Sequence, residues 1–323
     1  MAYPANTLSL VADIGGTNTR VALAEGKSVI EASIRRYRNS EYHGLEPVLQ
    51  QYIQDEGGVD PKAACVAVAG PVRNDKATMT NLDWTIDFPT LQRATNSETV
   101  AILNDLQAQG HAIGHIAEAN IRTILSGPVD DGTETKLVVG VGTGFNAAPV
   151  FETKNGRLVA PSECGHANLP IRNEEELRLC QFVSNAHGFP AVEDVLSGRG
   201  LERVYAWLGE EAGDPKEIPA AQIMAACADG SDERARMAAK TFTKVLGTVC
   251  GNLSLIQLPF GGVYLVGGVA RAITPYLHDF DFGEAFRDKG RFAGFMSNFA
   301  VHVVEDDYAA LTGCAAYLEN MKI

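Results

Sequence analysis

The chain writes one local pattern twice: an apolar run, a glycine-rich turn carrying a threonine, and a second apolar run. The first copy is Leu8-Ser9-Leu10-Val11-Ala12-Asp13-Ile14-Gly15-Gly16-Thr17-Asn18-Thr19-Arg20-Val21-Ala22-Leu23. The second begins at Lys136-Leu137-Val138-Val139-Gly140-Val141-Gly142-Thr143-Gly144 and returns through residues 147–151. Each copy reads as a β-hairpin closed by a glycine turn. The copies lie more than a hundred residues apart, which points to duplicated domains facing each other across a cleft.

The turns carry the chemistry. Glycines at 15 and 16 let backbone approach an anion closely, so that successive N–H groups can bond phosphate oxygens. Asp13, at the end of the first strand, is then placed to hold a hydrated Mg²⁺ against those oxygens. An ordinary Gly-Gly hairpin with a solvated aspartate is the alternative.

Bulk properties narrow the class of partner. With 323 residues the chain can bury a large core, and its length fits two domains or one large one. A net charge of −13 argues against a nucleic-acid partner, which needs a basic face. No apolar stretch approaches a membrane span, and Met1-Ala2-Tyr3-Pro4-Ala5 has no signal-peptide character, so a cytoplasmic location is expected. The six cysteines (65, 164, 180, 227, 250 and 314) form no C-x-x-C pair. Reduced, buried thiols are expected in place of a structural zinc site.

Between and around the hairpins, strands alternate with helices. The pattern predicts a third strand over 28–36, a helix over 44–54, and strands over 63–69 and 99–103. Asn173 before three glutamates predicts a helix N-cap, and Ser231-Asp232 opens a longer helix. That helix has an apolar face through Ala235, Ala238, Phe242, Val245, Val249 and Leu253, and Gly247 and Gly251 permit close packing along it. A buried strand over 262–266 runs into Gly267-Gly268, a strand covers 299–304, and a helix over 308–321 closes the chain. The order suggests mixed sheets with helices on their faces, an α/β protein.

Three glycine-bearing turns, each after an apolar strand, thus stand at 13–20, 142–144 and 267–270. Their order and type resemble the sugar kinase–actin superfamily: two phosphate loops and an adenosine-side turn. More specifically, the chain resembles the bacterial ATP-dependent glucokinases from the opening hairpin to the final helix. Matching segments include Ala69-Gly70-Pro71-Val72, Met79-Thr80-Asn81-Leu82-Asp83-Trp84, Leu103-Asn104-Asp105 and Glu163-Cys164-Gly165-His166. Glu193-Asp194-Val195-Leu196-Ser197-Gly198 and Asp288-Lys289-Gly290-Arg291-Phe292 continue the match.

The resemblance implies a two-lobed, ribonuclease H-like fold with mixed sheets, flanking helices and a central cleft. It places a small domain at 1–112 plus 306–323 and a large one at 113–305. It implies ATP-dependent phosphorylation of glucose to glucose 6-phosphate, with Mg²⁺ as cofactor and a homodimer as assembly. Asp105 would be the catalytic base, and Asn104, Asp105, Glu163, His166 and Glu193 would bind the sugar. Asp13 would hold Mg²⁺ through water, with Gly15, Gly16, Thr17 and Asn18 on phosphate. Gly142, Thr143 and Gly144 would form the second phosphate grip, and Gly267 and Gly268 would approach the adenosine.

Blander readings stand beside these. Asn104-Asp105 also reads as a strand-end Asx turn, and Gly267-Gly268 as a plain strand-to-helix turn. Glu163 and His166 also read as a surface glutamate with a structural histidine, or as a stray ligand pair. Arg287, Lys289 and Arg291 read as a patch that steers ATP or as a solvated turn. The chain departs from the family pattern at Phe145-Asn146 in the second turn, and at Ser162 and Cys164 where glycines are usual. These departures bear on sugar preference, so a kinase for another hexose or amino sugar is the nearer alternative. A weakly catalytic sugar-binding regulator on the same fold is the farther one.

Overall fold

The computed structural model describes residues 7–79 and 82–321. It divides into two compact units: residues 1–118, 153–159 and 306–323 form the first, and 119–152 with 160–305 the second. Strands and helices are numbered along the whole chain.

The first unit is built on a mixed sheet. Strand β1 (Ser9–Ile14) turns back antiparallel into β2 (Asn18–Glu25), which also pairs with β3 (Ser28–Val29) and β4 (Arg35–Arg38). On its other side β1 runs parallel to β5 (Ala63–Val68), and β5 runs parallel to β9 (Thr99–Asn104). Leu10, Val11, Ala12 and Ile14 are all fully buried, because both faces of this strand are covered. That accounts for a continuous apolar run where alternation would mark a half-exposed strand. Three short strands, β6 (Val72–Arg73), β7 (Lys76–Thr78) and β8 (Thr85–Asp87), make a separate small sheet.

Helices cover both faces of the main sheet. Helix α1 (Leu45–Asp55) buries Leu45, Val48, Leu49 and Tyr52, one apolar stripe at helical spacing. In α2 (Phe88–Thr95) the Asp87 carboxylate accepts the Thr90 N–H at 2.9 Å and Pro89 occupies the first turn. Helix α3 (Asp105–Ala112) packs on α10 (Ala309–Asn320) so closely that a Cβ on Gly313 would collide with the Ala108 carbonyl. Strand β13 (Gly156–Val159) joins this unit through Gln107, whose Nε2 donates to the Val159 carbonyl at 3.1 Å.

The second unit repeats the sheet plan. Strand β11 (Lys136–Val141) turns back antiparallel into β12 (Phe145–Thr153) and runs parallel to β14 (Val263–Val266). Strand β14 runs parallel to β15 (Val301–Val304), and β10 (Ile121–Leu125) closes the edge antiparallel to β15. The order β2-β1-β5-β9 in one unit and β12-β11-β14-β15 in the other is the same motif, a hairpin followed by two parallel strands. The duplication read from the two glycine hairpins is therefore a duplication of sheet topology.

Helices α4 (Glu174–His187), α5 (Gly198–Glu211), α6 (Ala220–Asp229) and α7 (Glu233–Gln257) fill the second unit, with shorter α8 (Gly268–Ile273) and α9 (Phe282–Arg287). Asn173 caps α4 by accepting the Glu176 N–H at 2.9 Å, and Asp232 caps α7. Gly247 and Gly251 form a notch for α9: a Cβ at either would collide with a carbonyl of Phe282 or Phe286.

One expected strand is broken. Residues 28–36 hold β3, a single 3-10 turn over Glu31–Ser33, and the start of β4. The cause is Ser33, whose buried hydroxyl donates to the Ile30 carbonyl at 2.6 Å and accepts the Leu23 N–H at 2.9 Å. A side chain that satisfies neighbouring backbone groups competes with the strand ladder.

Candidate active site

In the first unit the candidate residues collect at the carboxyl ends of the parallel strands, where open α/β sheets bind ligands. Ile14 of β1 lies opposite Val68 of β5, and Val68 opposite Asn104 of β9. Asp13 and Asn104 are therefore at one sheet end, two strand spacings or about 10 Å apart.

The first turn is closed by a bond from the Gly15 N–H to the Asn18 carbonyl at 3.0 Å. Gly16 and Thr17 lie at its tip, both exposed. Asn39, which the sequence did not mark, braces this turn from below. Its Nδ2 donates to the Gly15 carbonyl at 2.7 Å, its Oδ1 accepts the Thr19 hydroxyl at 2.8 Å, and its N–H reaches the Thr17 carbonyl at 2.9 Å.

Asp13 sits directly opposite Arg20 in the hairpin, and Arg20 Nη1 donates to Asp13 Oδ2 at 3.0 Å. Burial nevertheless wins, and raises the Asp13 pKa above the usual carboxylate value against the pull of Arg20. A carboxylate in that state gains from a nearby cation.

Asn104 ends β9 and caps α3. Its Oδ1 accepts the Leu106 N–H at 3.0 Å, Gln107 Oε1 accepts the Asn104 N–H at 3.2 Å, and Asn104 Nδ2 donates to the Gly70 carbonyl at 3.0 Å. Asp105 is the first residue of the helix, and its Oδ1 accepts the Leu106 N–H at 2.8 Å. Burial, then the negative charge of Asp13, push its pKa up to about 6, while the bonds from Leu106 and Asn104 pull the other way. The Asx-turn reading of this pair is thus structurally present. It engages Asn104 Oδ1 at the helix start and leaves Asp105 a half-buried carboxylate with its pKa at about 6. Of the matched segment 79–84, residues 80 and 81 lie outside the described residues, while Trp84 is buried.

In the second unit the second turn is closed by the Gly142 N–H on the Gly144 carbonyl at 2.9 Å. It is tied to the start of α5, where the Gly198 N–H donates to the Gly142 carbonyl at 2.9 Å. Gly267 abuts the same strand end at φ +105°, and a Cβ there would stand 2.5 Å from the Val141 carbonyl. Only glycine accommodates that approach. Gly268 opens α8, and a Cβ added to it would meet nothing within 4 Å.

Glu163 precedes, and His166 ends, a 3-10 turn, with Glu163 Oε2 and His166 Nε2 4.0 Å apart and both side chains about two-thirds exposed. A second 3-10 turn, Val192–Asp194, carries Glu193. The turns are held together by the Val192 N–H on the Ala167 carbonyl and the Leu169 N–H on the Pro190 carbonyl, both at 2.9 Å. Glu193 Oε2 accepts the Phe145 N–H at 2.8 Å, so one sugar-side candidate is anchored directly to the second glycine hairpin.

The basic run near the end of the unit is less free than its sequence suggests. Lys289 Nζ donates to the Thr248 carbonyl at 3.1 Å, and burial lowers its pKa. Arg291 lies over the Phe292 ring, its Cζ 5.2 Å from the centroid.

Two hairpin-led sheets of identical plan, each ending in a glycine turn, define a class: the fold is that of the sugar kinases. Solved structures agree. A glucokinase from an Antarctic psychrotroph superposes with a TM-score of 0.87 at 28% identity, over 97% of this chain and 99% of that one. A Balamuthia mandrillaris glucokinase in complex with glucose shares the fold at a TM-score of 0.79 and 21% identity, over 96% of this chain and 92% of that one. In sequence, the family model described as Glucokinase matches residues 10–321. The glucokinase of Saccharophagus degradans is 34% identical over 97% of this chain and 98% of its own length. That of Marinobacter nauticus is 32% identical over 98% of each. The chain belongs to the glucokinase family.

Proposed function

We propose that the chain transfers the γ-phosphoryl group of ATP to the 6-hydroxyl of glucose, giving glucose 6-phosphate and ADP. Family membership supports the reaction, and Asp105 supports the mechanism. A carboxylate at a helix start, with a pKa near 6, is ionised at neutral pH and is still basic enough to take a proton. As the sugar oxygen bonds to phosphorus and the bond to ADP breaks, Asp105 accepts the hydroxyl proton. Asn104, Glu163, His166 and Glu193 supply the donors and acceptors that fix the other hydroxyls.

The phosphates are assigned to the backbone N–H groups of Gly15, Gly16 and Thr17 with Asn18, and to Gly142, Thr143 and Gly144. Gly267 and Gly268 are assigned to the adenosine. Mg²⁺ fits Asp13, whose burial-raised pKa marks a carboxylate short of positive charge and whose Oδ2 alone is committed to Arg20. Bound through water, the ion would neutralise charge developing on the transferring phosphoryl group. Among the described residues no helix is long and apolar enough to cross a membrane. A homodimer acting in the cytoplasm at the entry to glycolysis belongs to the same proposal, carried by the resemblance.

ADP release with Mg·ATP across glucose, mannose, fructose, glucosamine, N-acetylglucosamine and N-acetylmannosamine tests this reading. Glucose-selective turnover is expected. Selective turnover of another sugar moves the substrate, and no turnover by folded protein overturns the assignment as a kinase.

A further inference from the structure

Asn146, Ser162 and Cys164 form one bonded cluster around Glu163. Asn146 Nδ2 donates to the Ser162 carbonyl. Asn146 Oδ1 accepts the Cys164 N–H at 3.1 Å and the Ala147 N–H at 2.8 Å, and lies 3.5 Å from the Cys164 thiol. The single Ser162 hydroxyl proton serves the Ala147 carbonyl at 2.7 Å or Asn146 Oδ1 at 3.1 Å. One carboxamide therefore grips the residues on both sides of Glu163.

Glu163 has little else to aim it. Its side chain is two-thirds exposed, and its Oε2 lies 4.0 Å from Nε2 of His166, which is equally exposed. The backbone on either side fixes its direction, and Asn146 holds that backbone. The next residue back completes the arrangement, since the Phe145 N–H holds Glu193 Oε2 at 2.8 Å. Two successive residues of β12 thus hold the Glu193 carboxylate, through the main chain, and the backbone on either side of Glu163, through a side chain.

We infer that Asn146 is the positioning residue for the Glu163 carboxylate, and that it sets how tightly and how selectively this protein binds its sugar. The inference rests on the reading of Glu163 as a sugar ligand. A carboxylate that must meet particular hydroxyls discriminates by direction, so loosening its backbone weakens the preferred sugar first.

The test is a double-mutant cycle on the KM for glucose, with Asn146→Ala, Glu163→Gln and the pair. Asn146→Ala should raise the glucose KM about tenfold or more while the KM for ATP stays within about twofold. In the Glu163→Gln background the same change should add less than about twofold, because its route is already cut. Asn146→Asp keeps the size and the acceptor but loses the donor to Ser162, and should reproduce the glucose effect in a protein that still unfolds cooperatively, though at lower temperature. It serves as well where Asn146→Ala fails to fold. Additive effects, or parallel rises in both KM values, overturn the inference and leave Glu163 as a sugar ligand. An unchanged glucose KM in Glu163→Gln alone overturns both.

Discussion

The negative charge of Asp13 raises the pKa of Asp105 across two strands of the first sheet. Burial does more, and together they place the group at about 6. The carboxylate read as holding the metal thereby tunes the carboxylate read as the base.

This coupling has a kinetic consequence. If Asp105 must be ionised to accept the proton, kcat/KM falls about tenfold per pH unit below a midpoint near 6. In Asp13→Asn the like charge is gone, the Asp105 pKa falls, and the acid limb moves to lower pH although the rate itself drops. A pH–rate profile of both proteins checks this, and an acid limb that stays in place in the variant counts against the coupling.

The same shift predicts a pH-dependent stability difference. The folded pKa lies above the ordinary 3.8, so between about 4 and 6 the folded protein holds more proton at this group than the unfolded chain. Stability from Asp105 is thus fully present at low pH and is lost as pH rises through about 6. Asp105→Asn, free of this cost, should gain thermal stability relative to the parent on going from pH 4 to pH 7. Melting curves read it, and a constant difference across that range contradicts it.

Neighbouring glycines should respond differently. Gly267→Ala forces a methyl to 2.5 Å from the Val141 carbonyl at a φ of +105° and should cost about 1–3 kcal/mol. Gly268→Ala meets open space and should fold with near-parent stability. If the adenosine passes at this turn, Gly268→Ala raises the KM for ATP and leaves that for glucose unchanged. Chemical denaturation with steady-state kinetics separates the two effects.

What the sequence disclosed was what local chemistry encodes. Both hairpins were legible because a glycine turn between buried apolar runs has few other uses, and Asn173 because a cap before three glutamates is a local signal. The notch at Gly247 and Gly251 was legible for the same reason. Contacts distant along the chain were not. Asn39 braces Gly15 from 24 residues away, and no local pattern marks it. Asn146 was visible only as a departure, since its partners at 162 and 164 come from another segment. The break at Ser33 was hidden because alternation in this stretch imitates a strand, while a buried hydroxyl decides otherwise. The small sheet over residues 72–87 escaped because strands of two and three residues are too short to show a period.

The most direct test of the account is single-turnover phosphorylation of glucose by Asp105→Asn, with glucose binding measured on the same protein. The account predicts that phosphoryl transfer falls by about three orders of magnitude or more. Glucose affinity should stay within about tenfold, and the fold should be intact. Transfer within about tenfold of the parent would show that Asp105 is not the base and would contradict the mechanism.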